Sequence, residues 1–390
     1  LTSILINTIN MQTLWITAEE ALALLGTKPQ TLYANVSRGR IRAKPDPADP
    51  RRSLYQLVDV KRMAERHSGR RQAKEVAAEA IRWGDPVLPT GISAITNQRL
   101  FYRGQDVVVL AEQHTLEQVA GILWNIDDGG IKIPAGGENG GPRVAAALVA
   151  LASRVMTDLP ALGRHPAALR SEAADVLATV ASALVPSSQV LPLHERLAHG
   201  WQRPEAAEPI RKALVLAAEH ELNVSAFAAR VTASSGAALS AATLSGLATL
   251  TGPRHGGAWM SVTALVEKAA TIGAREAIRS TLSSLGLVRA FGHGHRLYPD
   301  GDPRAKAIME SFEAPAIYAE LAKVGEDLLG EPINIDFALA ALADSFRLPD
   351  DAPLVIFALA RTVGWLAHAM EQVESGQMIR PRARYDGIVA

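Results

Sequence analysis

Histidines and isolated arginines gather in four short stretches of the C-terminal two-thirds of the chain. These stretches hold four of the ten histidines, each set among glycines, carboxylates or arginines able to move a proton or bind an anion. The first is Glu219-His220-Glu221-Leu222-Asn223-Val224-Ser225. An imidazole between two carboxylates is either a solvated surface group or a polar contact in a site, and no second histidine stands four residues away to make a helical metal pair. The second is Thr251-Gly252-Pro253-Arg254-His255-Gly256-Gly257-Ala258. Glycine- and proline-rich turns hold His255 there by backbone rather than by packing. Gly256 and Gly257 permit a ligand to approach closely and can open the next helix with free N–H groups. The third runs Phe291-Gly292-His293-Gly294-His295-Arg296-Leu297-Tyr298 and continues to Asp302-Pro303-Arg304. Two histidines flanking a glycine, without cysteine or a carboxylate cluster, make a poor metal site, so catalysis or anion binding is the better use. The fourth is Asn334-Ile335-Asp336-Phe337, where Asp336 is either the N-cap of an apolar helix over 337–344 or a working carboxylate. Downstream, Phe357 and Arg361 share a helix face at four-residue spacing, and Arg380-Pro381-Arg382 lies in a polar tail.

The elements that must position these residues are mainly helical. The chain has 390 residues, room for more than one domain, and alanine and leucine dominate while aromatics make up 5%. The absence of cysteine excludes disulfides, thiolate metal sites and cysteine nucleophiles, and fits a reducing compartment. Residues 1–10 carry no charge and lack the basic start of a secretion signal, so Met11 is a candidate true start. No stretch approaches 18 uninterrupted apolar residues, so no membrane span is expected and a cytoplasmic location is.

Forty basic and forty acidic residues cancel, yet residues 1–80 hold thirteen Lys and Arg against eight Asp and Glu. Two modules with different electrostatics are implied. In the first, Thr17 caps a helix from Ala18 to Leu25 with Glu20 completing a capping box, and Gly26 ends it. Lys28-Pro29-Gln30-Thr31 opens a second helix through Val36, stopped by Ser37-Arg38-Gly39-Arg40. A Pro- and Asp-rich turn joins Ile41-Arg42-Ala43 to Ser53-Leu54-Tyr55 as a hairpin wing, and Val58 to His67 forms a third helix. This order resembles the winged helix-turn-helix domains of the MerR and excisionase type. It places Gln30, Thr31, Tyr33 and Arg38 near a DNA groove and Arg51 and Arg52 on the wing, against the alternative of a dimerisation module with solvated charges.

A connector over 69–90 leads to a hairpin around Gln98-Arg99 and to helices from Val107 through Trp124. Residues 128–142 form a loop, and long helices are expected over 143–156, 167–185, 205–219 and 224–250.

In this order and spacing, Gly252-Pro253-Arg254-His255-Gly256-Gly257-Ala258 and Gly294-His295-Arg296-Leu297-Tyr298 with Asp302-Pro303-Arg304 resemble the citrate synthase family over about residues 91–387. The resemblance implies an all-α fold: a large helical domain over 81–257 and 347–390, and an inserted small helical domain over 258–346. A small winged helix-turn-helix domain over 11–68, as in a bacterial subgroup, would precede them. It implies that His255, His295 and Asp336 condense acetyl-CoA with oxaloacetate, with Asp336 as base, His255 holding the thioester oxygen and His295 polarising the ketone. His220, Arg304, Phe357 and Arg361 would contact oxaloacetate, with Arg380 supplied by the other subunit of a homodimer. Arg289, Phe291, Gly292, His293 and Gly294 would meet CoA. No metal or other cofactor is implied, and propionyl-CoA is the nearest rival substrate. A regulator that binds DNA and senses oxaloacetate or acyl-CoA is the alternative from another class. The chain departs from the family's commoner pattern at Phe337-Ala338-Leu339-Ala340, at Pro299 where a basic residue is usual, and at Glu219 where aspartate is. It also departs at His293, where an aromatic is usual, and residues 125–142 are short and glycine-rich.

Overall fold

The computed structural model describes residues 15–37, 41–47, 49, 51–61, 88–126, 129–137, 143–292, 297–383, 385 and 387. They fall into two compact units, Leu1–Pro89 and Thr90–Ala390.

In the first unit, β1 (Trp15–Ile16) precedes α1 (Ala18–Leu25) and α2 (Pro29–Ser37). Thr17 and Glu20 form the expected capping box, and Gly26 closes α1 in the left-handed region at φ 58°. β2 (Ala43–Pro45) and β3 (Ser53–Gln56) pair antiparallel, with β1 on the other edge of β3. The apolar side chains of Ala21, Leu25, Leu32, Ile41, Tyr55 and Val60 meet in one small core. The third helix is present over 57–61, and the remainder of the expected span to His67 lies outside the described residues.

The second unit opens with β4 (Ser93–Thr96), β5 (Arg99–Tyr102) and β6 (Gln105–Asp106). Asn97 and Gln98 take φ of 51° and 60°, so the hairpin turn sits one residue earlier than expected and Arg99 already belongs to β5. Helices follow in order: α3 (Val107–Gln113), α4 (Leu116–Trp124), α5 (Arg143–Val155), α6 (Pro166–Leu184) and α7 (Leu193–Gly200). After them come α8 (Ala207–Ala217), α9 (Val224–Ser234) and α10 (Leu239–Leu250). The single helix expected over 224–250 is therefore two. Gly236 breaks it at φ 85°, against Leu162, where a Cβ would come within 2.9 Å of that side chain. The rest are α11 (Trp259–Ile272), α12 (Ala274–Leu285), α13 (Pro303–Met309), α14 (Ala316–Leu329), α15 (Ile335–Ser345) and α16 (Ala352–Ser375).

Helix α16 is long and apolar enough to cross a membrane, but 89% of its apolar window is buried inside the protein. It is the central core helix, and α6, α9 and α10 pack around it. Contact with α10 is close because Gly246 has no side chain; a Cβ there would lie 2.6 Å from the Trp365 ring. A second apolar cluster unites α11, α12, α14 and α15, with Phe291 set against Gly325 and Phe337. Helix α15 belongs to both: Ile335, Ala338, Leu339 and Leu342 face the large core, while Phe337, Ala340 and Ala341 face the smaller one.

Tyr102 ties the strands to the end of α8. Its fully buried hydroxyl lies 3.2 Å from the Val215 carbonyl and 3.0 Å from that of Glu219, and accepts the Glu219 N–H at 3.0 Å. Tyr102→Phe would leave these backbone groups without that partner and is expected to lower the unfolding free energy by about 1–3 kcal/mol. Urea unfolding at unchanged slope checks this; an unchanged midpoint would show that the hydroxyl contributes nothing.

Candidate active site

The pinned backbone at Glu219 fixes the loop between α8 and α9. Its side chain turns inward, fully buried, where Oε1 meets the Ser93 hydroxyl at 3.0 Å and His368 Nε2 at 3.0 Å. His368 Nδ1 faces Arg230 Nη1 at 3.4 Å, and a guanidinium can only donate. The imidazole proton therefore sits on Nε2 and is given to Glu219. Burial pushes the Glu219 carboxyl up, but His368, Arg361 and Ser93 outweigh it and hold the group below the usual range, as a carboxylate. The next residue, His220, places Nε2 3.0 Å from the Tyr298 hydroxyl.

Two buried arginines lie beside this loop. Arg361, on α16 and 1% exposed, donates Nε–H to the Ala217 carbonyl at 3.0 Å. Its guanidinium stands 4.7 Å from the Phe357 ring centroid, and Nη1 is buried with no hydrogen-bond partner among the described residues. Burial pulls its pKa down to about 10, still cationic at neutrality. Arg304, in the first turn of α13, is gripped by Asp302 through Nε at 3.0 Å and Nη2 at 2.7 Å. Burial works against the Arg304 charge, yet Asp302 prevails and raises it above the ordinary arginine value.

His255 sits in the turn between α10 and α11. The Gly256 N–H donates to the Leu250 carbonyl, and a Cβ at Gly256 would strike that oxygen at 2.6 Å. The space kept open by this glycine is therefore filled by Leu250 rather than by a ligand. Helix α11 opens at Trp259, two residues beyond Gly257. His255 Nε2 lies 2.8 Å from Ser225 Oγ, which also receives the Trp365 indole N–H at 3.0 Å and lies 2.7 Å from Asn223 Oδ1. The edge of the His255 ring meets Phe357, with centroids 6.1 Å apart. Burial first, and then the Arg361 charge, lower its pKa to about 4, so the imidazole is neutral.

Asp336 occupies the second position of α15. The N-cap is Asn334, whose Oδ1 accepts the Phe337 N–H at 3.1 Å while Nδ2 donates to the carbonyls of Arg289 and Phe291. Of the two readings of Asp336, the capping one is excluded, because a better-placed amide already does that work. Asp336 as a residue keeps some exposure, yet the surrounding protein displaces most water from its carboxyl. Burial pushes it up to about 7, with Arg304 and Arg361 pulling down and Asp302 pushing up. It titrates near neutrality within reach of both arginines.

Of the residues singled out from the sequence, the fold gathers His220, His255, Arg304, Asp336, Phe357 and Arg361 around one locus. His293, Gly294, His295 and Arg38 lie outside the described residues. Phe291 is 1% exposed and spends its ring in the smaller core, so only its backbone could meet a ligand. Gly292 gives its N–H to the Pro332 carbonyl at 2.9 Å, and Arg289 is half-buried. Arg380 is exposed beyond α16. Ser225 and Tyr298 stand in the motifs without an assigned role, and Trp365 and His368 lie outside them. The last two carry no local signal, because their polar tips find partners only through the fold. Among the described residues no group of three or more His, Asp or Glu is arranged to hold a metal ion.

The locus thus sets a neutral imidazole and a carboxyl pushed up to about 7 beside two buried arginines within a helical fold. A family model described as citrate synthase, C-terminal domain, matches residues 144–382, and the chain belongs to the citrate synthase family. It is 35% identical over 195 residues to citrate synthase 2 of Bacillus subtilis, covering 47% of this chain and 52% of that protein. It is 37% identical over 193 residues to citrate synthase of Haloferax volcanii, covering 46% and 50%. The chain thus spans about half the length of the curated relatives it matches. Among solved structures, citrate synthase of Thermotoga maritima superposes with a TM-score of 0.65 at 25% identity, over 79% of this chain and 95% of that one. The Thermoplasma acidophilum citrate synthase, solved as a ternary complex with carboxymethyl coenzyme A and oxaloacetate, shares the fold with a TM-score of 0.66 at 22% identity, over 78% and 95%.

The raised Asp336 pKa has a consequence for stability. A carboxyl whose folded value exceeds its unfolded value favours the folded state most at low pH, and that contribution is lost as pH rises through about 7. Asp336→Asn is therefore expected to melt a few degrees above the parent at pH 8, with the gap closing near pH 4. Equal melting differences at both pH values would contradict the burial of this charge.

Proposed function

We propose that this chain condenses an acyl-CoA thioester with oxaloacetate, acetyl-CoA being the thioester that yields citrate. The observation that carries this is that Asp336, its carboxyl pushed up to about 7, and a neutral His255 both face the buried Arg361. As a carboxylate, Asp336 removes a proton from the carbon next to the thioester. His255 stabilises the resulting enol by hydrogen bonding to the thioester oxygen, as a neutral group that need not lose a charge to do so. The enol carbon then attacks the oxaloacetate ketone, which His295 polarises. Water hydrolyses the thioester of the product, releasing CoA. Arg361 and Arg304 face the carboxylates of oxaloacetate, with His220 as a further contact, Phe357 packing against the acid and Arg380 supplied by the neighbouring subunit of a homodimer. Arg289, Gly292 and the following His293-Gly294 meet CoA, the Phe291 contribution being through its backbone. No metal is needed, since the thioester already acidifies the adjacent carbon. The working domains are those expected from the sequence, a large one over 81–257 and 347–390 and a small one over 258–346.

CoA-thiol release with oxaloacetate tests this. Turnover is expected with acetyl-CoA and to fall by roughly 10²–10⁴ in Asp336→Ala. Its rate should climb with pH through about 7 as Asp336 ionises, and His255 should add no step there. Propionyl-CoA in place of acetyl-CoA shifts binding by about 1–3 kcal/mol, so the ratio of the two rates names the substrate. Folded protein without turnover on either thioester would remove the condensing reading.

A second reading concerns the first unit, taken as a winged helix-turn-helix domain that binds DNA. It is favoured by the exposure of Gln30, Thr31 and Tyr33 on α2, away from buried Leu32, and of Arg51 and Arg52 before β3. A gel shift at physiological salt is expected to show a complex that weakens when Arg51 and Arg52 are both replaced by alanine. No complex on any sequence would leave the unit a docking or dimerisation module.

A further inference from the structure

Arg361 stands in the interior of the protein on α16, with one guanidinium nitrogen that has no hydrogen-bond partner among the described residues. A buried cation is costly to keep charged, and a nearby fixed anion is the usual remedy. Glu219 is placed to be that anion. It is 0% exposed, as is His368, and its Oε1 is held from two sides by Ser93 and His368. Its Oε2 is buried with no hydrogen-bond partner among the described residues. That oxygen lies against α16 at Gly364, less than one turn beyond Arg361, where a Cβ would approach it to 2.6 Å and the Ala218 carbonyl to 2.5 Å. The Arg361 Nε–H meanwhile is committed to Ala217, two residues before Glu219. Carboxylate and guanidinium thus share one wall without forming the direct ion pair that would occupy Nη1.

We propose that Glu219 is a positioning residue that keeps Arg361 charged while leaving its Nη1 free for a carboxylate of the substrate; this rests on the reading of Arg361 as an oxaloacetate contact. Arg304 serves as the contrast. Its Nε and Nη2 are both spent on Asp302, so that its charge is neutralised by direct contact. Arg361 receives its compensation from a carboxylate tethered elsewhere. His368 and Arg230 act behind Glu219: Arg230 donates to Glu371 at 2.7 Å and to Gln372 at 2.9 Å, which fixes the tautomer that gives His368 Nε2–H to Glu219.

The charged and titratable groups facing Arg361 are Glu219, Arg304 from α13, Tyr102 from β5 and Asp336 from α15. Those facing Glu219 are His368 and Arg361 from α16, Tyr102 from β5, and Glu221, whose carboxylate accepts the Ile95 N–H at 2.9 Å. Of these, Glu219 contributes most to keeping Arg361 protonated, and Arg304 opposes it. Without the Glu219 charge the guanidinium loses its proton at lower pH, so dicarboxylate affinity should fail earlier on the alkaline side.

The test uses the full chain and oxaloacetate, followed by thiol release and by calorimetric titration, at pH 7 to 10. In Glu219→Gln, KM and Kd for oxaloacetate are expected to stay near the parent's at pH 7, where the guanidinium keeps its charge. They should climb toward roughly tenfold above the parent's as pH nears 10, the size of one pKa unit of lost charge interaction, while kcat falls less than KM rises. Glu219→Asp, which keeps the charge on a shorter stem, should recover part of the affinity and move the alkaline limb in the same direction by less; it also serves if the glutamine variant does not fold. Ser93→Ala removes one hydrogen bond but no charge and should leave the alkaline limb in place. If the parent works while Glu219→Gln changes KM equally at every pH, or not at all, the proposal is overturned alone. If the parent neither binds oxaloacetate nor turns over, the condensing reading fails and the proposal with it.

Discussion

The burial of positive charge beneath the site is the constraint on which the rest depends. Arg304 and Arg361 lie where water is excluded, and neither could stay there uncompensated. Asp302 answers the first and Glu219 faces the second, and the Glu219 carboxylate is in turn held by Ser93 and His368. The same enclosure depresses His255 and Arg361 and lifts Asp336, while at Arg304 the Asp302 carboxylate overrides it. Charge that would be costly in an empty core becomes useful once an acidic ligand can share it.

The scaffold serves this arrangement through a few close approaches. Gly246 lets Trp365 lie flat against α10, Gly256 lets the His255 turn fold over Leu250, and Gly364 gives the Glu219 carboxylate room beside α16. Each glycine is small for the sake of a neighbour. Helix α15 carries Asp336 at its first turn and contributes side chains to both apolar clusters, so the carboxyl sits at the seam of two packed bodies.

Much of this was legible in the sequence where the signal is local. The capping box at Thr17, the proline-opened α2, the hairpin of β4 and β5 and most helix spans follow from residue type and period. The motifs around His255, Arg304 and Asp336 named chemistry before any geometry. What was hidden depends on long-range contact. The break in the expected 224–250 helix falls where Gly236 meets Leu162, more than seventy residues earlier. Ser225 and Trp365 matter only because the fold brings them to His255, and His368 reads as an ordinary core histidine until Glu219 is seen beside it. Asp336 looked capable of capping its helix because both asparagine and aspartate favour that position, and only the structure shows Asn334 already there.

Trp365 joins two demands in one side chain. Its ring fills the groove opposite Gly246, and its N–H holds the serine that holds His255. A lineage could not exchange it for another apolar residue of similar bulk without loosening the imidazole, nor for a smaller donor without opening a void. Packing and the hold on His255 therefore make their demands on the same side chain, and positions 225, 246 and 365 are expected to change together or not at all.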